Sequence, residues 1–128
     1  MATPFGDMAI VLEVSDIDRS VAFYRDVLGF NVGGRYGEPV SFAILRRGGC
    51  IVFLDKSETP RPIPVNQYWA AYFYVADADA AAGEMREQDA EIIRGPEDMP
   101  YGCRDFDVRD PDGHILAFGQ DLEEPMSV

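Results

Sequence analysis

The chain has 128 residues, 47% of them hydrophobic and 27% charged, which is typical of one globular domain with its own core. Its net charge of −12 repels nucleic-acid phosphates, and no apolar run of about 18 residues indicates a membrane-spanning helix. The two cysteines, Cys50 and Cys103, lie outside any C-x-x-C motif, which favours free thiols in a cytoplasmic protein.

The first predicted elements are a strand from Met8 to Val14 and a helix after it. The strand is nearly all apolar, and one of its faces ends in Glu13. Asp16 is the predicted N-cap of the helix, and Gly29 is its predicted left-handed end. One buried stripe is expected on this helix, formed by Ile17, Val21, Tyr24 and Leu28.

A glycine-rich segment and a hairpin complete the first half. Gly33, Gly34, Gly37 and Pro39 predict a loop. The β-rich runs 40–45 and 50–54 flank the sequence R-R-G-G, which predicts two strands joined by a turn. Residues 57–66 contain three prolines, which predict a stiff, extended linker.

The second half repeats the pattern of the first. The motif V-x-D-x-D-(six residues)-R-[DE] begins at Val14 and again at Val75. This recurrence predicts a duplicated βαβββ unit, unless two unrelated acidic helix starts merely look alike. The predicted boundaries are 7–56 for module one, 57–66 for the linker and 67–120 for module two. The expected fold is one α+β domain whose two tandem modules form a curved mixed sheet around a cleft.

Module two begins with the aromatic strand 67–75, Q-Y-W-A-A-Y-F-Y-V. Alternation places Tyr68, Ala70, Tyr72 and Tyr74 on the face that corresponds to Glu13, and Trp69 on the opposite face. A helix over 77–88, a strand over 90–94 and a loop over 95–102 should follow. The last predicted elements are a hairpin, with strands 104–109 and 114–119 around D-P-D-G, and a frayed polar tail.

Charge and residue types restrict the chemistry. The acidic excess either attracts a cationic small molecule or serves only solubility. The single histidine, His114, excludes zinc sites that need several His or Cys ligands. No P-loop, G-x-G-x-x-G or G-x-S-x-G motif is present.

Several motifs resemble the vicinal oxygen chelate superfamily, which includes glyoxalase I, extradiol dioxygenases and bleomycin-resistance proteins. They are V-S-D-I-D-R-S at 14–20, F-Y-R-D-V-L-G-F at 23–30, Y-G-C-R-D-F at 101–106 and R-D-P-D-G-H at 109–114. The resemblance covers essentially the whole chain. It implies the paired βαβββ fold and, in the metal enzymes of the superfamily, four His, Gln or Glu ligands.

The four ligand positions implied by the resemblance fall on Ala9, Phe53, Ala70 and Ala117. None of these side chains can coordinate a metal. His114 lies off this register, next to the turn, and is expected to be a surface residue. The chain therefore looks closest to the metal-free bleomycin-resistance type, which are acidic dimers that sequester a cationic antibiotic. We accordingly expect a homodimer without a cofactor.

The resemblance implies aromatic ligand contacts at Phe42, Phe53, Tyr72 and Tyr101. Such rings would stack on a flat ligand and attract a cation, although any one of them could simply pack in the core. Glu13 is a candidate carboxylate on the cleft face. Asp105 is a second, weaker candidate, as is Asp55.

Three functions remain open from the sequence. The leading hypothesis is a metal-free protein that binds a cationic or aromatic small molecule, such as a bleomycin-type antibiotic, and thereby confers resistance. The second is a lyase or isomerase that uses Glu13, Tyr101, Arg104 and Asp105 as acids and bases. The third is a duplicated scaffold with a protein partner.

Overall fold

The computed structural model describes residues 1–58 and 62–122, and the chain divides into two compact units, Met1–Pro64 and Val65–Val128. The division falls inside the predicted linker, of which residues 59–61 lie outside the described part. So do residues 123–128 of the predicted frayed tail. Each unit is a βαβββ module with a four-stranded mixed sheet, which confirms the α+β class. The cleft and the 7–56, 57–66 and 67–120 boundaries stay predictions.

Module one has its strands in the order β1-β4-β3-β2, with β1 parallel to β4 and the other pairs antiparallel. The elements in chain order are β1 (Met8–Val14), helix α1 (Ile17–Ala22) with a π-helical extension (Phe23–Val27), β2 (Asn31–Tyr36), β3 (Phe42–Arg47) and β4 (Cys50–Lys56).

The first helix begins and ends as predicted. The carboxylate of Asp16 accepts a hydrogen bond of 3.0 Å from the backbone N–H of Arg19. Gly29 follows the π-helical extension in a left-handed conformation, with φ of 76°. The four residues of the predicted stripe are all buried, and they pack the helix onto its sheet.

Module two repeats this arrangement with the order β5-β8-β7-β6 and a parallel β5–β8 pair. Its elements are β5 (Trp69–Tyr74), α2 (Ala78–Glu87), β6 (Glu91–Asp98), β7 (Cys103–Arg109) and β8 (Ile115–Asp121). Asp77 caps α2 by accepting from the N–H of Ala80 at 3.0 Å, as Asp16 caps α1. Stacked Phe73, Phe106 and Phe118 lie under α2 in the core.

Two predicted loops are shorter than expected, because extended strands continue into them and only residues 37–40 and 99–102 form turns or loops there. Strand β2 includes Gly33 and Gly34, and it absorbs the irregularity as a register shift between Val32 and Gly34. Strand β6 runs on to Asp98, with register shifts on both sides of Arg94. Strand pairing therefore overrides the local preference of glycine for turns.

The predicted surface position of His114 is also wrong, since the residue is only 5% exposed. Its backbone N–H donates to a carboxylate oxygen of Asp110 at 2.8 Å, and its carbonyl accepts from the Asp110 N–H at 2.9 Å. These bonds close the D-P-D-G turn and draw His114, the residue after the turn, inward.

Both cysteines are free thiols, with Cys50 half-buried and Cys103 buried. Within residues 1–58 and 62–122, no helix is long and apolar enough to cross a membrane.

Candidate functional site

Each sheet has one face covered by its helix and a second face that we call the helix-free face. In module two, alternation along β7 places Phe106 and Val108 toward α2, and Asp105 and Asp107 on the helix-free face. Asp105 pairs across the sheet with Gly119, and Asp107 with Ala117. Ala117 pairs on its other side with Tyr72, which therefore shares this face.

Asp105 is fully buried at the centre of this face. One carboxylate oxygen accepts hydrogen bonds from the Tyr72 hydroxyl, at 2.9 Å, and from the Tyr101 hydroxyl. The other oxygen accepts from Nη2 of Arg94. An ionised carboxylate in the interior needs such donors, because burial removes its water. Asp105 therefore holds the two phenol rings in place.

Arg94 joins Asp105 to a second carboxylate, Asp107. Its Nε and Nη2 donate to the two oxygens of Asp107, each at 3.0 Å, in a bidentate pair. The indole N–H of Trp69 donates to the same Asp107 at 2.9 Å. Asp105, Asp107 and the more exposed Glu97, which lies 3.3 Å from Nη1 of Arg94, thus form a continuous network with one guanidinium and an excess of acids.

Two glycines allow this network to form. Gly119 carries no side chain where the Tyr72 ring lies, and a Cβ there would overlap the Tyr72 hydroxyl oxygen. Gly95 has a φ of 78°, and a Cβ there would overlap the backbone carbonyl of Asp105. Gly95 immediately follows Arg94, inside the second register shift of β6, so the irregular strand directs the guanidinium onto the carboxylates.

Four aromatic rings lie above and beside the carboxylates, and we call them the aromatic wall: Trp69, Tyr72, Tyr74 and Tyr101. The ring centroid of Tyr72 is 5.0 Å from that of Trp69 and 5.4 Å from that of Tyr74. The Trp69 and Tyr101 centroids are 6.4 Å apart. Trp69 is 37% exposed and Tyr101 51% exposed, so their rings remain available to a ligand.

The protonation of this site follows from the network. Burial, followed by contacts with Cys103 and Asp105, raises the pKa of Tyr72 well above its usual value. Burial, followed by the bond to Asp105, raises the pKa of Tyr101 in the same direction. Burial alone would raise the pKa of Asp105, but bonds from Tyr101, Arg94 and Tyr72 lower it overall. Both phenols therefore keep their protons beside an ionised carboxylate.

Module one has a smaller aromatic group on its own helix-free face. Phe42 lies between Tyr36 and Phe53, with ring centroids 6.2 Å and 5.5 Å away. Asp55 pairs across the sheet with both Phe42 and Glu13, so two acids border the rings. A cation over these rings would gain from both the π faces and the carboxylates.

The predicted site residues thus divide between the two modules. Glu13, Phe42 and Phe53 share the helix-free face of module one, whereas Tyr72, Tyr101 and Asp105 share that of module two. Their role in binding stays a prediction. The burial of Asp105 changes what it can do, because its oxygens already hold three donors.

Arg104, a candidate of the enzyme hypothesis, lies apart from the other three. Its guanidinium binds Asp79 of α2 and Asp98 at 3.0 Å each, on the helix side of the sheet. Arg104 therefore stabilises the contact between α2 and the sheet, and it does not join Asp105 and Tyr101.

Sequence reasoning missed Trp69, Arg94 and Asp107. Alternation placed Trp69 on the helix side, but a register shift between Trp69 and Ala71 turns it to the helix-free face. A signal for Asp107 was present, because the alternation D-F-D-V along β7 gives both acids one face. No comparable signal marked Arg94.

The residues at the four implied ligand positions do not fit a metal. Ala9, Ala70 and Ala117 carry methyl groups and Phe53 a phenyl ring, so none offers a donor atom. Elsewhere in the described part of the chain, no group of three or more His, Cys, Asp or Glu is arranged to hold an ion. No step through a metal follows from this chain.

Comparison with known proteins agrees with the paired βαβββ fold. A model of the Glyoxalase/Bleomycin resistance protein/Dioxygenase superfamily matches residues 9–118. CFP32 of Mycobacterium tuberculosis, named a glyoxylase, is 30% identical over 106 residues. That match covers 78% of this chain, but the chain spans only 38% of the length of CFP32.

Solved structures share the fold over nearly the whole chain. TioX from Micromonospora sp. ML1 is 27% identical with a TM-score of 0.77, covering 92% of this chain and 100% of TioX. TnmS3, an antibiotic binding protein from Streptomyces sp. CB03234, is 22% identical with a TM-score of 0.73, covering 94% and 98%. Lactoylglutathione lyase from Agrobacterium tumefaciens is 20% identical with a TM-score of 0.73, covering 98% and 100%.

Proposed function

We propose that this chain, which belongs to the Glyoxalase/Bleomycin resistance protein/Dioxygenase superfamily, is a metal-free binding protein for a cationic or aromatic small molecule. The observation that carries the proposal is the aromatic wall of module two. Its rings are partly exposed and are fixed from behind by buried carboxylates. The bound compound would be of the bleomycin type, a cationic antibiotic with flat heteroaromatic parts, and binding would confer resistance by sequestration.

Preorganisation supports binding by the wall. Trp69, Tyr72 and Tyr101 are each held by a hydrogen bond to Asp107 or Asp105, so they lose little rotamer freedom when a ligand arrives. Each aromatic contact with a stacked ligand adds roughly 1 kcal/mol beyond the area that it buries. Two or three such contacts would add roughly 2–3 kcal/mol to the contribution of the area that the ligand buries.

The protonation states favour binding over acid–base catalysis. A general base must accept a proton near neutral pH, and the Asp105 pKa is displaced downward, away from that range. The pKa values of Tyr72 and Tyr101 are raised, which makes both phenols weaker acids. The fold neighbour TnmS3 is itself described as an antibiotic binding protein, which agrees with binding on this fold.

The competing function is a lyase or isomerase acting on a small metabolite, as one fold neighbour, lactoylglutathione lyase, illustrates. The hydrogen-bonded pair of Tyr101 and Asp105 would be its proton carrier. Recovery of the ligand distinguishes the two functions. A binder returns the compound unchanged after prolonged incubation, whereas an enzyme returns a product that mass spectrometry detects.

Titration calorimetry with bleomycin tests the leading proposal. We expect saturable heat, accompanied by a change in the emission of Trp69, which is the only tryptophan of the chain. Tyr101→Phe should weaken binding, while Tyr68→Phe, which changes an exposed tyrosine outside the aromatic wall, should not. Absence of heat at high micromolar concentration would refute bleomycin as the ligand.

Pairing of two copies is a further part of the proposal. The acidic dimers that the chain resembles suggest a homodimer, and gel filtration at two protein concentrations tests it. A monomer at both concentrations would exclude the dimer.

A further inference from the structure

Three residues of the aromatic wall, Trp69, Tyr72 and Tyr101, point their donors inward, toward the carboxylates. The Tyr72 and Tyr101 hydroxyls both bond to Asp105, and an ionised carboxylate can only accept, so both phenol protons are committed to it. The indole N–H of Trp69 is committed to Asp107 in the same way. An indole has no other donor, and a phenol has only one.

Arg94, the cation nearest these rings, is occupied at each of its nitrogens. Its Nε and Nη2 bind Asp107 and Asp105, as described above. Its Nη1 lies 3.4 Å from the sulfur of Met99 and 3.3 Å from a carboxylate oxygen of Glu97. An anionic ligand would therefore have to displace existing bonds before it could bind this guanidinium.

What these side chains present outward is electron-rich. The ring faces carry the negative side of the aromatic quadrupole, and the phenol oxygens keep lone pairs that can accept. The network beneath them carries an excess of negative charge, from Asp105, Asp107 and Glu97 against Arg94. The raised pKa values of Tyr72 and Tyr101 keep the phenols protonated, so this polarity does not reverse near neutral pH.

We infer that Trp69, Tyr72 and Tyr101 of the aromatic wall select flat ligands that present an N–H donor or a cationic edge, and reject matched ligands that can only accept. The inference rests on the proposed function, because it assigns the ligand class of that same site. A ligand N–H would donate to the Tyr101 or Tyr72 oxygen while its ring lies on Trp69. A ligand nitrogen with only a lone pair would face another lone pair and lose its water without compensation.

Two neutral heteroaromatic probes separate hydrogen-bond polarity from net charge. Indole offers an N–H donor, whereas quinoline offers only an acceptor nitrogen, and both are uncharged at mildly alkaline pH. The readout is the NMR signal of the Trp69 indole N–H, which is a single resonance because the chain has one tryptophan. We expect indole to bind about tenfold more tightly than quinoline.

Matched tyrosine variants locate the effect. Tyr101→Phe keeps the ring and removes the accepting oxygen, so it should reduce the preference for indole to about threefold or less. Tyr68→Phe is the control, because Tyr68 is 76% exposed and lies outside the aromatic wall. It should leave the preference unchanged.

The possible outcomes test the ligand preference and the proposed binding function separately. Tighter binding of indole than of quinoline supports the inference if Tyr101→Phe reduces that preference. Equal binding of both probes, or a preference for quinoline, overturns the inference and leaves the binding function standing. If neither probe shifts the Trp69 signal, both the inference and the proposed function are wrong, since the wall would then not bind flat aromatic compounds.

Discussion

The Tyr72 ring fills the space beside Gly119 on the neighbouring strand that a side chain at position 119 would otherwise take. A Cβ on Gly119 would overlap the Tyr72 hydroxyl and lie 2.6 Å from Cε1 of the ring. The backbone of β8 thus leaves room for the ring that covers Asp105. The position of the Tyr72 ring over Asp105 therefore depends on the absence of a side chain at Gly119.

Gly119→Ala should therefore displace the Tyr72 ring from Asp105 and lower the free energy of unfolding by about 1–3 kcal/mol. The loss should appear in urea denaturation, together with weaker binding of bleomycin or indole. Gly83→Ala is the control, because nothing lies within 4 Å of its Cβ and the residue is inside α2. It should stabilise the protein by roughly 1 kcal/mol. Equal effects of the two substitutions would contradict the steric argument.

Arg94→Met should be severely destabilising, because it leaves Asp105 and Asp107 without their shared cation. Removing one partner of a buried ion pair costs about 3 kcal/mol or more. Arg104→Ala provides a comparison, since Arg104 also joins two acids, but these are 65% and 68% exposed. Its cost should be much smaller, because exposed ion pairs remain solvated and contribute little. Chemical denaturation of the two variants measures the difference, and similar midpoints would show that burial of Asp105 is not decisive.

The stability of the protein should fall at both extremes of pH because of the same cluster. The Asp105 pKa is lowered in the folded state, so its contribution is present above the ordinary aspartate value and is lost as acid protonates it. The pKa values of Tyr72 and Tyr101 are raised, so their contribution is present below about pH 10 and is lost above it, where the unfolded phenols ionise.

Thermal unfolding across pH tests both limbs of that curve. Tyr72→Phe should flatten the alkaline limb, and Asp105→Asn the acid limb, relative to the unaltered chain. If Tyr72→Phe changed the acid limb alone, the assignment of the phenols would be wrong.

The two N-caps should be worth similar amounts, since Asp16 and Asp77 make the same bond of 3.0 Å in the two modules. Substitution by alanine should cost about 1 kcal/mol at each position, and substitution by asparagine only a few tenths, since asparagine can still cap. Urea midpoints of the four variants measure this. A cost at one cap only would indicate that the modules differ in how far their helices support the fold.

The helices and the duplicated module could be predicted because their signals are local. Asp16 and Asp77 each precede an apolar stripe, and the cap, the stripe and the spacing all indicate the same structure. Trp69 shows where this reasoning fails. Its face depends on a register shift that is set by pairing with β8, which lies more than forty residues later in the chain.

The chemistry of the site was harder to predict than its location. Asp105 was identified as a possible carboxylate facing a ligand, yet nothing near it in the sequence indicates that Arg94 neutralises it from β6. The polarity of a buried network depends on which donors fold onto it, and those donors come from three different segments of module two.

The parallel pairing of β5 with β8 has a consequence for synthesis on the ribosome. In module one the corresponding pair is complete once Lys56 has emerged, but β5 has to wait for the last strand of module two. Until Ile115–Asp121 has emerged, β5 lacks its only partner in the sheet, and the edge that holds Trp69 and Tyr72 is unpaired. Nascent chains that stall in the D-P-D-G turn would therefore expose an aromatic strand to aggregation.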